Sequence, residues 1–263
     1  MNRQPADTWD RFAPHRARVM DLVPRPEGKG TLAVFGAGSC SDIDLEELAR
    51  TFQSVHLVDM DAEALERARE RQPEATRARI VTHGDIDLSG FLSHIETWGE
   101  RFPTPQELAP TTVRGAIAIL QRLGENFDVT LSTCVLSQFI HPYQRCLALS
   151  GAEWISLETT LVGLHLTTLA GATRSHGRGL IVFDVASSDD IPKLCEARDA
   201  DPEDLQTLVM QQVDPSALRP DPWNLVRQVG AANLFANPRL TLPWLWDIGV
   251  SLQLVYGLAF ERP

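Results

Sequence analysis

The residues best equipped for chemistry fall into a few short clusters. Gly36-Ala37-Gly38 follows the apolar run Thr31 to Phe35 and precedes Ile43, Leu45, Leu48 and Ala49 at helical spacing. A strand, a tight glycine turn and a helix in that order leave the first amides of the helix free to bind a ligand. Asp59 comes 23 residues after Gly36 at the tip of the next strand, where a carboxylate can accept both hydroxyls of a ribose. Capping the following helix is the other role open to it, one that Asp61 could equally fill. Asp85, in His83-Gly84-Asp85-Ile86, puts a second carboxylate at the same edge, suited to an adenine amine with Ile86 against the ring. A plain loop aspartate is the alternative there. His141, between Ile140 and Pro142, follows the fourth strand and could take a proton from a hydroxyl, or serve structurally near a helix start. His165, between Leu164 and Leu166, reads as a satisfied core histidine, and Trp9, Phe12 and Trp154 as core or pocket lining.

These clusters need a sheet edge to bring them together, and the pattern supplies one. A helix over residues 6–22 with a linker closed by Pro24 and Pro26 leads into strands at 31–35, 55–58, 78–82, 127–131 and 179–185. Helical repeats separate them: 43–49, 62–71, a pair within 88–123 split by a loop near 101–110, and a long stretch from about 142 to 173 with a break around Gly151. Five βα units imply a parallel sheet with helices on both faces. Runs at 240–246 and 251–260 joined by Asp247-Ile248-Gly249 are close enough only for an antiparallel hairpin. The expectation is one α/β domain over residues 1–263: a Rossmann-like, doubly wound, seven-stranded sheet, mostly parallel, with an acidic insertion at 187–238 and a C-terminal antiparallel hairpin at 240–263.

Composition narrows the function classes. The 263 residues carry 24 Lys and Arg against 35 Asp and Glu, a net charge of −11, and the pI is near 5.1. Such a balance works against a polyanionic partner, because affinity for nucleic acid comes largely from neutralised phosphates. Between residues 187 and 214 eight acids face only Lys193 and Arg198, a run that is either a solvated face or an attractor for a cationic substrate. No apolar run is long enough for a membrane span and the first residues hold no signal-peptide core, so a cytoplasmic chain without a membrane partner is expected. Cys40, Cys134, Cys146 and Cys195 form no CxxC pair, so neither a zinc site nor a disulfide framework is expected.

In the segments 32–45, 55–61, 82–87, 127–139, 179–185 and the terminal pair of strands, taken in order, the chain resembles the class I S-adenosylmethionine (SAM)-dependent methyltransferases. The resemblance spans about residues 31–263 and implies methyl transfer from SAM to a small-molecule or, less favoured, a protein acceptor. It assigns the methionine portion of the cofactor to Gly36, Ala37 and Gly38, ribose to Asp59 with Met60 beside it, and adenine to Asp85 and Ile86. Ser132, Thr133 and Cys134 would lie under the sulfonium. The family usually has an acid where this chain has Val34 and a third loop glycine where it has Cys40. Asp42 or Asp44, just inside the first helix, would then supply the contact to the cofactor's amino group, or both simply favour the helix dipole. An NAD(P)-dependent oxidoreductase and a non-catalytic binding protein of the same fold remain open alternatives. Ser41 at the place of the dinucleotide fingerprint's third glycine and the terminal hairpin weigh against the first.

Overall fold

The computed structural model describes residues 6–147, 149–231 and 234–263. Helices α1 (Ala6–Arg11) and α2 (Ala13–Leu22) replace the single leading helix, with the break at Phe12. Then follow β1 (Thr31–Phe35), α3 (Leu45–Thr51), β2 (Ser54–Val58), α4 (Ala62–Glu70), α5 (Glu74–Arg77) and β3 (Ile80–His83). A 3-10 turn at Leu92–His94 leads into α6 (Ile95–Glu100), α7 (Pro105–Leu123), β4 (Phe127–Thr133), α8 (Val135–Cys146), α9 (Gly151–Ala172) and β5 (Thr173–Ser187). The chain ends with α10 (Lys193–Glu196), α11 (Pro202–Gln212), α12 (Pro222–Ala231), β6 (Ala236–Leu240), β7 (Trp244–Asp247) and β8 (Leu252–Glu261).

The strand order is β3-β2-β1-β4-β5-β8-β6, with β7 also paired to β8. Strands β1 to β5 are mutually parallel, and β8 runs antiparallel to β5, β6 and β7. The sheet therefore has eight strands where seven were expected. The cause is local: the predicted strand at 240–246 is an edge strand cut by Pro243, which has no amide to donate. Just before the cut, Thr241 exchanges bonds with Gly257 through its amide and its hydroxyl, both at 2.8 Å.

The central strands are buried and mostly apolar because both faces are covered, with Thr130, Ser132 and Thr133 of β4 as buried polar exceptions. One face buries Leu32, Val34, Leu57, Leu131 and Val182 against α2, α3 and α4. The other buries Phe35, Phe127, Ile181 and Phe183 against α7, α8 and α9. The acidic stretch joins that second layer, since Leu194, Leu205, Val209, Leu218, Leu225 and Val229 all enter its core. Its charges are the outer side of a helical crossover. Two further boundaries moved for identifiable reasons. Helix α7 starts at Pro105 because Thr104 and Glu107 form a capping box ahead of it, and Pro110 is carried inside the helix. Helix α8 starts at Val135, immediately after β4, while the break before Gly151 lies where the spacing placed it.

Candidate functional site

The parallel strands all present their carboxyl ends at one edge, and the sequence clusters meet there. Gly36 has φ +75°, and a Cβ on it would sit 1.9 Å from Cγ2 of Val135, so only glycine lets β1 turn beneath the start of α8. Its amide donates to the Val58 carbonyl at 2.9 Å, tying the glycine turn to the end of β2. Gly38 has φ +47° and donates its amide to Asp59 Oδ2 at 2.9 Å, while Asp59 Oδ1 accepts the Asp61 amide at 2.9 Å. Each carboxylate oxygen thus spends one lone pair on orientation and keeps one for a ligand hydroxyl. The cap of α4 is Asp61, whose side chain accepts from the Ala64 amide, so Asp59 is released from that role.

Beside Asp59 lies a cavity of about 170 Å³ lined by Gly36, Met60, Ile86, Leu88, Leu92, Val135 and Phe139 together with Asp87, Ser89, Gln138 and Tyr143. Met60 and Ile86, expected beside ribose and adenine, both line it. Asp85, next to Ile86 but not itself a lining residue, has an exposed side chain and a left-handed conformation with φ +55°. Arg122 fixes that loop by donating to the carbonyls of Gly84 and Asp85. The wall at 87–92 went unread in the sequence. Asp87 accepts from the amides of Ser89 and Leu92, both at 2.9 Å, and from the Ser89 hydroxyl, which lies 3.0 Å from the Tyr143 hydroxyl. The signal available was Asp-x-Ser, a side-chain turn motif. Nothing local announced Tyr143, which arrives from α8.

On the other side of the glycine turn, Thr133 donates to the Gly36 carbonyl at 3.2 Å and also bonds the Asp42 carboxyl. Burial pushes the Asp42 pKa up to about 6, against the pull of that bond and of Arg16. Val34, in place of the family's acid, is fully buried in the core. Cys40 has φ +56°, so it holds the left-handed conformation that a third loop glycine would provide. Cys134, the cap position just ahead of α8, has φ +48°, and its buried thiol has its pKa raised by burial and by the nearby Asp184 and Asp42. Asp184, at the end of β5, accepts from Ser137 Oγ at 2.7 Å. Of the five described non-glycine residues with positive φ, Cys40, Asp85 and Cys134 are at this edge, which is where strained backbone concentrates in functional sites.

Ser132 is turned the other way. It is buried, with its hydroxyl 2.8 Å from His165 Nε2 beneath α9, because alternate residues of β4 face opposite sides of the sheet. His165 is held neutral by burial, with a pKa near 3, and its Nδ1 has no partner among the described residues, so it is only half satisfied. His141 falls within α8, and its side chain lies outside the described residues.

No family model and no curated protein matches the chain. Solved structures do. A SAM-dependent methyltransferase from Methanosarcina mazei superposes with a TM-score of 0.50 at 12% identity, over 90% of this chain and 94% of its own. The N-methyltransferase NodS from Bradyrhizobium japonicum gives 0.47 at 9% identity, covering 97% of both chains. A geranyl diphosphate C-methyltransferase from Streptomyces coelicolor gives 0.48 at 11% identity, over 95% of this chain and 79% of its own. This chain has the fold of the class I SAM-dependent methyltransferases. The antiparallel β8 set between β5 and the edge strand belongs to that arrangement. Among the described residues no His, Cys, Asp and Glu group is placed to hold a metal ion, and no helix is long and apolar enough to cross a membrane.

Proposed function

We propose that the chain is a SAM-dependent methyltransferase acting on a small-molecule acceptor. The observation that carries this reading is Asp59, oriented by two backbone amides at the wall of an apolar cavity and freed from helix capping by Asp61. A carboxylate prepared in this way suits a vicinal diol, and the neighbouring Met60, Ile86, Leu88 and Phe139 suit a flat heterocycle. The residues present therefore fit a nucleoside cofactor. Asp59 would accept the ribose hydroxyls, Ile86 and Met60 would flank adenine with Asp85 next to Ile86, and the turn at 36–38 would make room for the methionine portion. Asp42, beside Thr133, would take the amino group.

When bound, SAM supplies a methyl group already activated on a sulfonium. The chain's own work is then positioning and exclusion of water, which can provide much of the rate of an in-line transfer. Calorimetric titration separates this reading from the oxidoreductase and from a non-catalytic scaffold. The expected result is a saturable isotherm with S-adenosylhomocysteine (SAH) and none with NAD. Binding of NAD alone, or of neither, overturns it.

A further inference from the structure

Five buried side-chain nitrogen or oxygen atoms lack a hydrogen-bond partner among the described residues, and three of them belong to one cluster: His15 Nε2, Arg18 Nε and Trp246 Nε1. His15 and Arg18 are three apart on α2 and share a face. Trp244 and Trp246 share a face of β7, and α2 packs on that face. Trp244 Nε1 donates to His15 Nδ1 at 3.1 Å, and the His15 ring stacks on Trp246 with centroids 4.2 Å apart. The Arg18 guanidinium lies 5.9 Å from the Trp244 ring centre.

The protonation pattern follows from these contacts. His15 is neutral, its pKa lowered to about 3 by burial and by Arg16. Because Nδ1 accepts from Trp244, the proton must be on Nε2, which makes Nε2 a donor. Arg18 Nε and Trp246 Nε1 are donors by chemistry. Three buried donors in one cluster with no acceptor point to a missing acceptor-only group. Arg18 makes no ion pair among the described residues. Arg16 is already committed, its guanidinium bonded to the Ser41 and Trp9 carbonyls and laid over the Trp9 ring. One free positive charge with two neutral donors and aromatic faces suits a monoanion, and a carboxylate is the planar monoanion of that kind.

The cluster also has the right address. Arg16, next to His15, holds the glycine turn through Ser41. Asp184 of β5, Val255 of β8 and Trp244 of β7 are in register across the sheet, so a single strand, β8, separates the cluster from β5, which ends at the cofactor edge. Phe12 meets Trp246 edge-on at 4.9 Å and is half-buried, which leaves the cluster one side chain beneath the surface. We propose that His15 Nε2–H, Arg18 Nε–H and Trp246 Nε1–H form an oxyanion subsite that takes a carboxylate of the methyl acceptor. The assignment to the acceptor rests on the methyltransferase reading.

Benzoate is the probe, added to the SAH-saturated chain and followed through the tryptophan indole N–H resonances and by calorimetry. The Trp246 resonance, identified by its loss in W246F, is expected to move downfield with benzoate. Benzamide and benzylamine should bind at least tenfold more weakly. W246F and R18M should each weaken benzoate at least tenfold and leave SAH affinity unchanged. An unmoved Trp246 resonance means that the donors hold only water and overturns the subsite, as does benzoate affinity in both variants equal to that of the unaltered chain. A shift caused by inorganic phosphate and not by benzoate overturns the carboxylate assignment. Because the resonance is read in the unaltered chain, a variant that fails to fold does not decide the matter. Failure of SAH to bind overturns the methyltransferase reading and the acceptor assignment with it, whereas loss of the benzoate response with SAH bound overturns the subsite alone.

Discussion

At the scale of single residues, the site depends on two carboxylates with different electrostatics. Asp59 is oriented by the amides of Gly38 and Asp61, so Asp59→Ala removes a prepared acceptor without opening the core. SAH affinity is expected to fall by about 1.5–3 kcal/mol, the scale of hydrogen bonds to a charged group, with an unchanged melting transition. Equal affinity in calorimetry would reduce Asp59 to a loop anchor. Asp42 behaves differently, because burial raises its pKa from 3.8 to about 6. A raised carboxyl favours the folded state in its protonated form, so its contribution is full below about pH 3.8 and is lost as pH climbs through 6. A ligand ammonium beside Asp42 requires the ionised form. A group titrating at about 6 is mostly protonated at pH 5 and mostly ionised at pH 7, so SAH affinity should rise about tenfold between them. Asp42→Asn should flatten that dependence, and a tenfold rise that persists in D42N would remove Asp42 from the ligand.

Among the elements, α2 joins the two halves of the edge. Arg16 bonds the Ser41 carbonyl at 2.9 Å from a buried position, and no neutral side chain replaces that. Arg16→Met keeps the apolar stem and loses the guanidinium, and is expected to cost roughly 1.5–3 kcal/mol in denaturant unfolding and to loosen SAH binding as the glycine turn relaxes. Unchanged stability and SAH affinity would show that α2 is passive.

The elements also mark what could be read in advance. The first parallel strand was legible because burial on both faces writes it as a compact apolar run, Thr31 to Phe35, ending in a glycine turn. The edge strand was legible as a hairpin arm, but Pro243 inside it was passed over, although proline within a strand marks an edge or a break. Ser132 was grouped with Thr133 by adjacency, when the two-residue period of a strand puts them on opposite faces. Tyr143, Leu92 and Ser89 reach the cavity wall from segments distant in sequence, and only the packed fold brings them there.

For the whole molecule the governing quantity is charge. A net −11 spread over 263 residues places a negative field around the chain. The described ion pairs consume Arg25, Arg67, Arg69, Arg101, Arg174, Arg198 and Arg219, and Arg122 is spent on the loop carbonyls of Gly84 and Asp85. Those arginines cannot neutralise phosphates without first giving up an internal partner. The two lysines, Lys29 and Lys193, are far apart in sequence, and Lys193 Nζ donates to Gln212 at 3.0 Å. Polyanion affinity grows with the number of phosphates neutralised, and here eight of the 22 arginines already hold internal partners while 35 acids outnumber 24 cations overall. Fluorescence anisotropy with labelled tRNA and duplex DNA is therefore expected to show no saturable binding at micromolar protein in 100 mM salt. A monoanionic small molecule is not excluded by the same field, because a single buried arginine acts over a few ångströms where solvent screening is weak. Salt-dependent binding of either nucleic acid in that range would overturn the expectation and locate an arginine surface outside the pairs named here.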